Sequence, residues 1–349
     1  MWQELSRNMR DPRLLQLFGR YATYCGGSPF DSPATLSLVA HVEREGVWAV
    51  EGGMHGFARA LARMGEDCGV TFRYNCAAKR IIAADGRACA VETQDSERID
   101  GDAIVFNGDP NALADRLLGD EISGAVAAVA PVARSFSAVT FAMRAKTQGV
   151  PLLRHNVFFS DDYQGEFDDI RLRSSPPASP TVYVCAQDRL DDDATATGAE
   201  RLFCILNAPA VDVSPQRKPP DMARCEDAMF DRLERCGLQV ERSQTIVAAS
   251  PDDFARLFPG SAGAIYGRAP HGWRASFQRP GARTAIRGLY LAGGATHPGP
   301  GAPMAALSGR QAALAVMEDL ASMGAFRPAA IPGGMSMRSA TTASTGSSS

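Results

Sequence analysis

The residues best suited to chemistry lie in the run Gly293-Gly294-Ala295-Thr296-His297-Pro298-Gly299-Pro300-Gly301-Ala302-Pro303-Met304. Glycines let a backbone pass close to a flat ligand with no Cβ in the way. His297 offers an imidazole able to take a proton near neutral pH, or an ordinary hydrogen-bonded side chain in a tight turn. Thr296 adds a hydroxyl beside it. A helix starting at Pro303 presents unpaired N–H groups and the positive end of its dipole to an electron-rich partner. That chemistry suits a phosphate, or the N1/C2=O edge of a flavin, which becomes negative on reduction. It also suits a plain strand-turn-helix connection. Elsewhere there is no Ser-His-Asp set and no meaningful pair of carboxylates. The five histidines do not cluster, so no metal site is expected.

The elements around this run follow from pattern. Leu289 to Ala292 is a short apolar run that suits a buried strand, and Pro303 to about Leu320 repeats apolar residues at helical spacing (Ala306, Leu307, Leu314, Met317). Upstream, residues 3–22 read as a helix that Pro12 restarts or kinks. Leu36 to Glu45 reads as another helix, Gly46 to Met54 as a strand closed by Gly52-Gly53, and His55 to Cys68 as a helix striped by Phe57, Leu61 and Met64. Strands are expected at Val70–Tyr74, Ile81–Ala83, Ala88–Thr93 and Asp102–Phe106, with a hairpin at Ala84-Asp85-Gly86. Helical signals follow at Asn111–Leu118 and Ile122–Val129. Strands come next at Ser135–Arg144, Val157–Phe159, Pro180–Cys185, Leu202–Asn207 and Val240–Ser250, with a polar stretch at Asp161–Pro180 that ends in a PPASP loop, and an amphipathic helix at Met222–Cys236. This gives an α/β chain whose 115–283 block is a mixed sheet with helices.

Composition excludes several classes. The chain has 349 residues, 45% hydrophobic and 21% charged, with a net charge of −3. There is no electrostatic case for nucleic acid and no apolar run long enough to span a bilayer. The start MWQELSRNMRDPRL is not a signal peptide. Eight cysteines, none in a C-x-x-C pair, read as scattered free thiols. After Phe326, Ser, Thr, Gly and Ala dominate without periodicity, so residues 327–349 read as a disordered tail.

The run Gly293-Gly294-x-Thr296-His297-Pro298-Gly299-x-Gly301-x-Pro303, followed by Ser308-Gly309 and Ala312-Ala313, resembles the C-terminal flavin signature of the bacterial phytoene-desaturase family. The match is nearest to the branch that desaturates hydroxylated or methoxylated acyclic carotenoids at the 3,4 bond. Tyr24-Cys25-Gly26-Gly27-Ser28-Pro29-Phe30 and Gly46-Val47-Trp48 through Gly52-Gly53 are similar to further passages of that family. The resemblance implies the Rossmann-like FAD-binding fold of amine oxidases and phytoene desaturases. It implies FAD as cofactor, held by Gly293, Gly294, Thr296, Gly301, Pro303 and Met304 along the isoalloxazine and ribityl chain. Main-chain groups at Ala78, where valine is usual, would face the adenine. It implies dehydrogenation of a lipophilic, C1-hydroxylated acyclic carotenoid, with hydride passing to the flavin and His297 the candidate acceptor for the second hydrogen. The location implied is cytoplasmic, at a membrane surface. By the same resemblance, residues 1–45 are substrate-region helices. Residues 46–114 and 284–326 form the FAD-binding domain, and 115–283 the substrate domain.

The G-x-G-x-x-G turn that such folds use for the FAD pyrophosphate is absent from the sequence. The resemblance runs from about residue 10 to 320, so the chain is expected to correspond to the C-terminal two-thirds of the family's fold, without its N-terminal βαβ unit. Two other classes stay open: a different flavin oxidoreductase on this fold, such as an amine oxidase or a retinol-saturase-like enzyme, or an inactive fragment.

Overall fold

A computed structural model describes residues 1–189, 198–211, 214, 218–242, 245–272 and 275–324. The expected tail lies outside the described residues. The first 44 residues fold as α1 (Trp2–Asn8), α2 (Pro12–Gly19), a 3-10 segment (Arg20–Cys25), a second one (Ala34–Ser37) and α3 (Leu38–Arg44). Pro12 begins a new helix, because it occupies the first turn of α2 and Asp11 caps that turn by accepting from the Arg13 N–H.

Next comes α4 (Gly53–Asp67), entered through Gly52 and Gly53 at φ +75° and +67°. No residue of α4 is buried: its stripe of Phe57, Leu61 and Met64 stays 37%, 47% and 59% exposed. The strands expected at 46–54 and 70–74 are absent. Neither finds a neighbouring strand, and unpaired backbone gains nothing from the extended ladder.

A three-stranded antiparallel sheet follows, of β1 (Ala78–Ala84), β2 (Arg87–Thr93) and β3 (Arg98–Asp100). Asp85 and Gly86, both at positive φ, close its hairpin. Then come β4 (Ile104–Phe106) and α5 (Asn111–Ala114), the latter much shorter than expected. A 3-10 turn, Asp120–Ala125, stands where the second helix was expected.

The larger sheet is built from β5 (Ser137–Ala145), β7 (His155–Phe158), β8 (Val182–Ala186), β9 (Glu200–Ala208) and β11 (Ile246–Ala249), with a short side pair of β6 (Thr147–Gly149) and β10 (Leu238–Val240). Its order is β11-β5-β9-β8-β7 and every pairing is antiparallel, so the expected mixed sheet is corrected. The strand expected over 240–250 divides between β10 and β11. The polar stretch 161–180, for which no helix was expected, contains α6 (Tyr163–Arg171), whose start is capped by Asp162.

β9 alternates strictly: Leu202, Cys204, Leu206 and Ala208 are buried, while Phe203, Ile205 and Asn207 face the other side. The buried side meets Met229, Phe230 and Leu233 of α7 (Met222–Arg235), the main hydrophobic core. Each of those side chains contributes about 1.5–3 kcal/mol by burial. The other side of the sheet is left to form a cavity floor.

After α8 (Pro251–Leu257), capped by a Ser250/Asp253 box, the chain returns to β12 (Leu289–Leu291). β12 pairs parallel with β4, Leu289 opposite Ile104, and both strands bury into a second core with Ile81, Leu113 and Ile122. The last element is α9 (Ala302–Ser322). It buries its small residues Ser308, Ala312 and Ala315, while Met304, Leu307, Leu314 and Met317 remain 37–45% exposed. The expected helix is thus present, and it packs closely on β12 through alanine and serine.

Candidate functional site

The turn between β12 and α9 is anchored at both ends. Ala292 donates its N–H to the Phe106 carbonyl at 3.1 Å, and Gly293 donates to Ser308 Oγ at 3.2 Å. Gly293 sits at φ +115°, and a Cβ there would lie 2.4 Å from Asn107 Oδ1. Thr296 donates its N–H to the Gly293 carbonyl, while its own hydroxyl is buried and has no hydrogen-bond partner. His297 is exposed, its N–H donates to the Pro280 carbonyl, and the His297–Pro298 peptide is cis. Gly301, at φ +109°, has no protein atom within 4 Å of a built Cβ, and Ala302, Pro303 and Met304 at the start of α9 are exposed.

These features fit a flavin. A buried hydroxyl without a partner, a glycine opening onto free space and an uncovered 21-residue helix start all face the same turn. Gly293, Gly294, Thr296, Gly301, Pro303 and Met304 are thus gathered in one place. Ala78 is not part of that cluster. It is exposed at the far end of β1, six residues from the hairpin end that meets Arg287, or about 20 Å along the strand.

Arg279, missed in the sequence, braces the turn from below. Its Nη1 donates to the Tyr266 carbonyl at 2.9 Å and the Gly294 carbonyl at 3.3 Å, and its Nη2 to the Arg268 carbonyl at 2.6 Å. Burial pulls its pKa down. No local signal marks it, since its three acceptors come from two other segments.

Beside the turn lies a cavity of about 760 Å³, within the range of ligand sites. The open face of the large sheet forms its floor through Thr140, Phe203, Ile205, Asn207 and Tyr183. Arg20, Tyr24, Phe136, Ile265 and Tyr266 close it. The Tyr-rich passage near residue 24 thus serves both ends proposed for it. Tyr24 lines the cavity, whereas Phe30 packs into an aromatic core with Trp2, Tyr163 and Phe167.

Several of the cavity's polar groups are tied to each other or to residues just behind the wall, while the buried Ser137 hydroxyl has no partner among the described residues. Tyr21 donates to Glu43 at 2.6 Å, His155 Nδ1 meets the Tyr183 hydroxyl at 2.7 Å, and Asn207 donates to Glu166 at 3.0 Å. Glu166 is fully enclosed, and burial raises its pKa against the bonds from Thr181 and Asn207. Nearby His271 accepts the Ser28 N–H on Nε2 at 3.2 Å, and burial lowers its pKa.

A parallel β-pair, a glycine turn into a long helix, and an antiparallel sheet carrying a cavity define an α/β flavin-binding fold. An oxidoreductase from Methanosarcina mazei shares it, with a TM-score of 0.56 at 17% identity, covering 91% of this chain and 67% of that one. Residues 3–317 match the model of the flavin containing amine oxidoreductases, and the chain belongs to that family, whose cofactor is FAD. It is 52% identical over 346 residues to the hydroxyneurosporene desaturase of Rubrivivax gelatinosus, covering 98% of this chain and 65% of that protein. It is 49% identical to the hydroxyneurosporene desaturase of Cereibacter sphaeroides, covering 90% and 62%. The chain thus spans somewhat under two thirds of the length of these relatives.

Proposed function

We propose that the protein acts as an FAD-dependent desaturase that dehydrogenates an acyclic, C1-hydroxylated carotenoid. The observation that carries this reading is the cavity. It is largely apolar, is floored by a sheet face, and adjoins the glycine turn through Tyr266 and Arg279. Near 50% identity to two hydroxyneurosporene desaturases supports the substrate class. Residues 46–114 and 284–326 serve the cofactor in this reading, and 115–283 the substrate.

Bound FAD supplies hydride acceptance. The chain's own residues do the rest. Gly293, Gly294 and Gly301 let the backbone approach the ring, and Arg279 fixes the Gly294 carbonyl. Phe136, Phe203 and Ile205 exclude water and align the polyene. His297 is the candidate acceptor for the second hydrogen. A substrate this apolar resides in membranes, so the protein works at a membrane surface. No helix among the described residues is long and apolar enough to cross one.

The test is to incubate the flavin-loaded enzyme with a hydroxyneurosporene-type carotenoid and, separately, with primary amines. The expected result is a longer conjugated chromophore, seen as a red-shifted carotenoid spectrum. Amine turnover with no change in the carotenoid would reject the proposal.

A further inference from the structure

Arg20 opens the 3-10 segment after α2 and lines the cavity, half-buried. Its guanidinium makes no hydrogen bond or ion pair with any described residue. This is an unusual state for a group with five N–H donors and a charge it cannot shed. Of the other polar side chains lining the cavity, Glu43 is engaged by Tyr21, Tyr183 by His155 and Asn207 by Glu166, while the buried Ser137 hydroxyl has no partner among the described residues but carries no charge. Tyr24, Tyr183 and Tyr266 line the same cavity as Arg20, and its charge acts on all three phenols.

We infer that Arg20 is a specificity-determining residue that donates hydrogen bonds to the hydroxyl oxygen at the end of the substrate; this rests on the desaturase reading above. The lining argues for a neutral oxygen over an anion. Among the described residues it contains no second Lys or Arg, and Glu43 on the same wall repels negative charge. The position also fits. Tyr266, within reach of the Arg20 charge, accepts from the same Arg279 that holds Gly294 in the turn. An oxygen held at Arg20 therefore fixes the end of the chain near the flavin, and with it the bond that reacts. A hydrocarbon of the same length gains nothing from Arg20 and leaves its donors unmet, which is how a polar group in an apolar site discriminates.

The test compares the parent enzyme with Arg20→Met and Arg20→Lys, using a C1-hydroxylated acyclic carotenoid and the hydrocarbon lacking the hydroxyl. Arg20→Met should lower kcat/KM for the hydroxylated substrate roughly 10- to 100-fold, mainly through KM. It should leave the hydrocarbon within about twofold, and Arg20→Lys should recover part of the loss. An equal fall on both substrates, or none on the hydroxylated one, overturns the inference. Equilibrium binding, read from the carotenoid absorption shift on mixing, is measured on the same variants. A parent enzyme that desaturates neither substrate overturns the desaturase reading, while the binding ratio still decides the role of Arg20.

Discussion

Adding one methyl group at Gly293 and at Gly301 separates what the turn does for folding from what it does for a ligand. At Gly293 the new Cβ would meet Asn107 Oδ1 at 2.4 Å, on a backbone at φ +115°. Asn107 is exposed, so its amide can rotate aside for about 0.5–1.5 kcal/mol. The backbone angle cannot be relieved that way and costs on the order of 1–3 kcal/mol. Gly293→Ala should therefore destabilise by about 1.5–4.5 kcal/mol, with the backbone as the larger part. At Gly301 the angle is similar, φ +109°, but no protein atom lies within 4 Å, so Gly301→Ala should cost only the backbone share of about 1–3 kcal/mol. Urea unfolding of both variants measures the gap, and Asn107→Ala in the Gly293→Ala background should close it. Flavin retention then reads the ligand. The Cβ of Gly301→Val meets no protein, and with Gly301→Ala as the control for the backbone cost, a further loss of bound flavin with helix content intact would show that the space belongs to the cofactor. The reasoning fails if Gly293→Ala costs under about 0.5 kcal/mol, or if the valine variants of both glycines keep a normal flavin spectrum.

Three further outcomes are expected. His297→Gln should lower kcat at least about 10-fold with the flavin spectrum unchanged if the imidazole takes the proton, and a change under twofold would remove it from that role. His271 has a folded pKa below its usual value, so the unfolded chain binds the proton first. Stability should be level above about pH 6.5 and fall as pH drops below it, and His271→Gln should flatten that slope in thermal melts. Arg189 grips buried Glu200 with Nε at 2.8 Å and Nη2 at 2.7 Å, so Arg189→Ala should destabilise by about 3–5 kcal/mol in denaturant, and a loss under 1 kcal/mol would show the pair is not the brace it resembles.

The parts legible in the sequence were those in which a local pattern matches local physics. The alternation of β5, the apolar run of β9, the Asp85-Gly86 hairpin and the strand-turn-helix around Gly293 each carry their own signal within about ten residues. The strands expected at 46–54 and 70–74 had apolar residues and flanking glycines but no partner in the fold, and pairing, not composition, makes a strand. α6 was hidden because its inward face is one Tyr, one Phe, one Ile and a buried Glu in a polar stretch, and only its contacts with Thr181 and Asn207 make that Glu tolerable. On α9 the helical period was legible, whereas the buried face was not, since close packing on β12 selects small residues over large ones.

The site itself shows why Arg20 and Arg279 could not be read from spacing. Gly26, at φ +69°, brings its backbone so near Tyr266 and Ser135 that a Cβ would lie 2.5 and 2.7 Å from their side chains. Gly267 does the same against Ala295, at 2.9 Å. These two glycines therefore clamp the 20–27 passage onto 266–267, and 266–267 onto the turn at 293–296, with Arg279 bonded across the second joint. A substrate wall and a cofactor turn about 270 residues apart in sequence are thus joined through two positions that admit no side chain. It follows that substitutions at Gly26 or Gly267 should disturb substrate alignment and flavin contact together, whereas a change at Arg20 should touch only the substrate. That contrast separates a residue that recognises from residues that hold the two halves of the site in register.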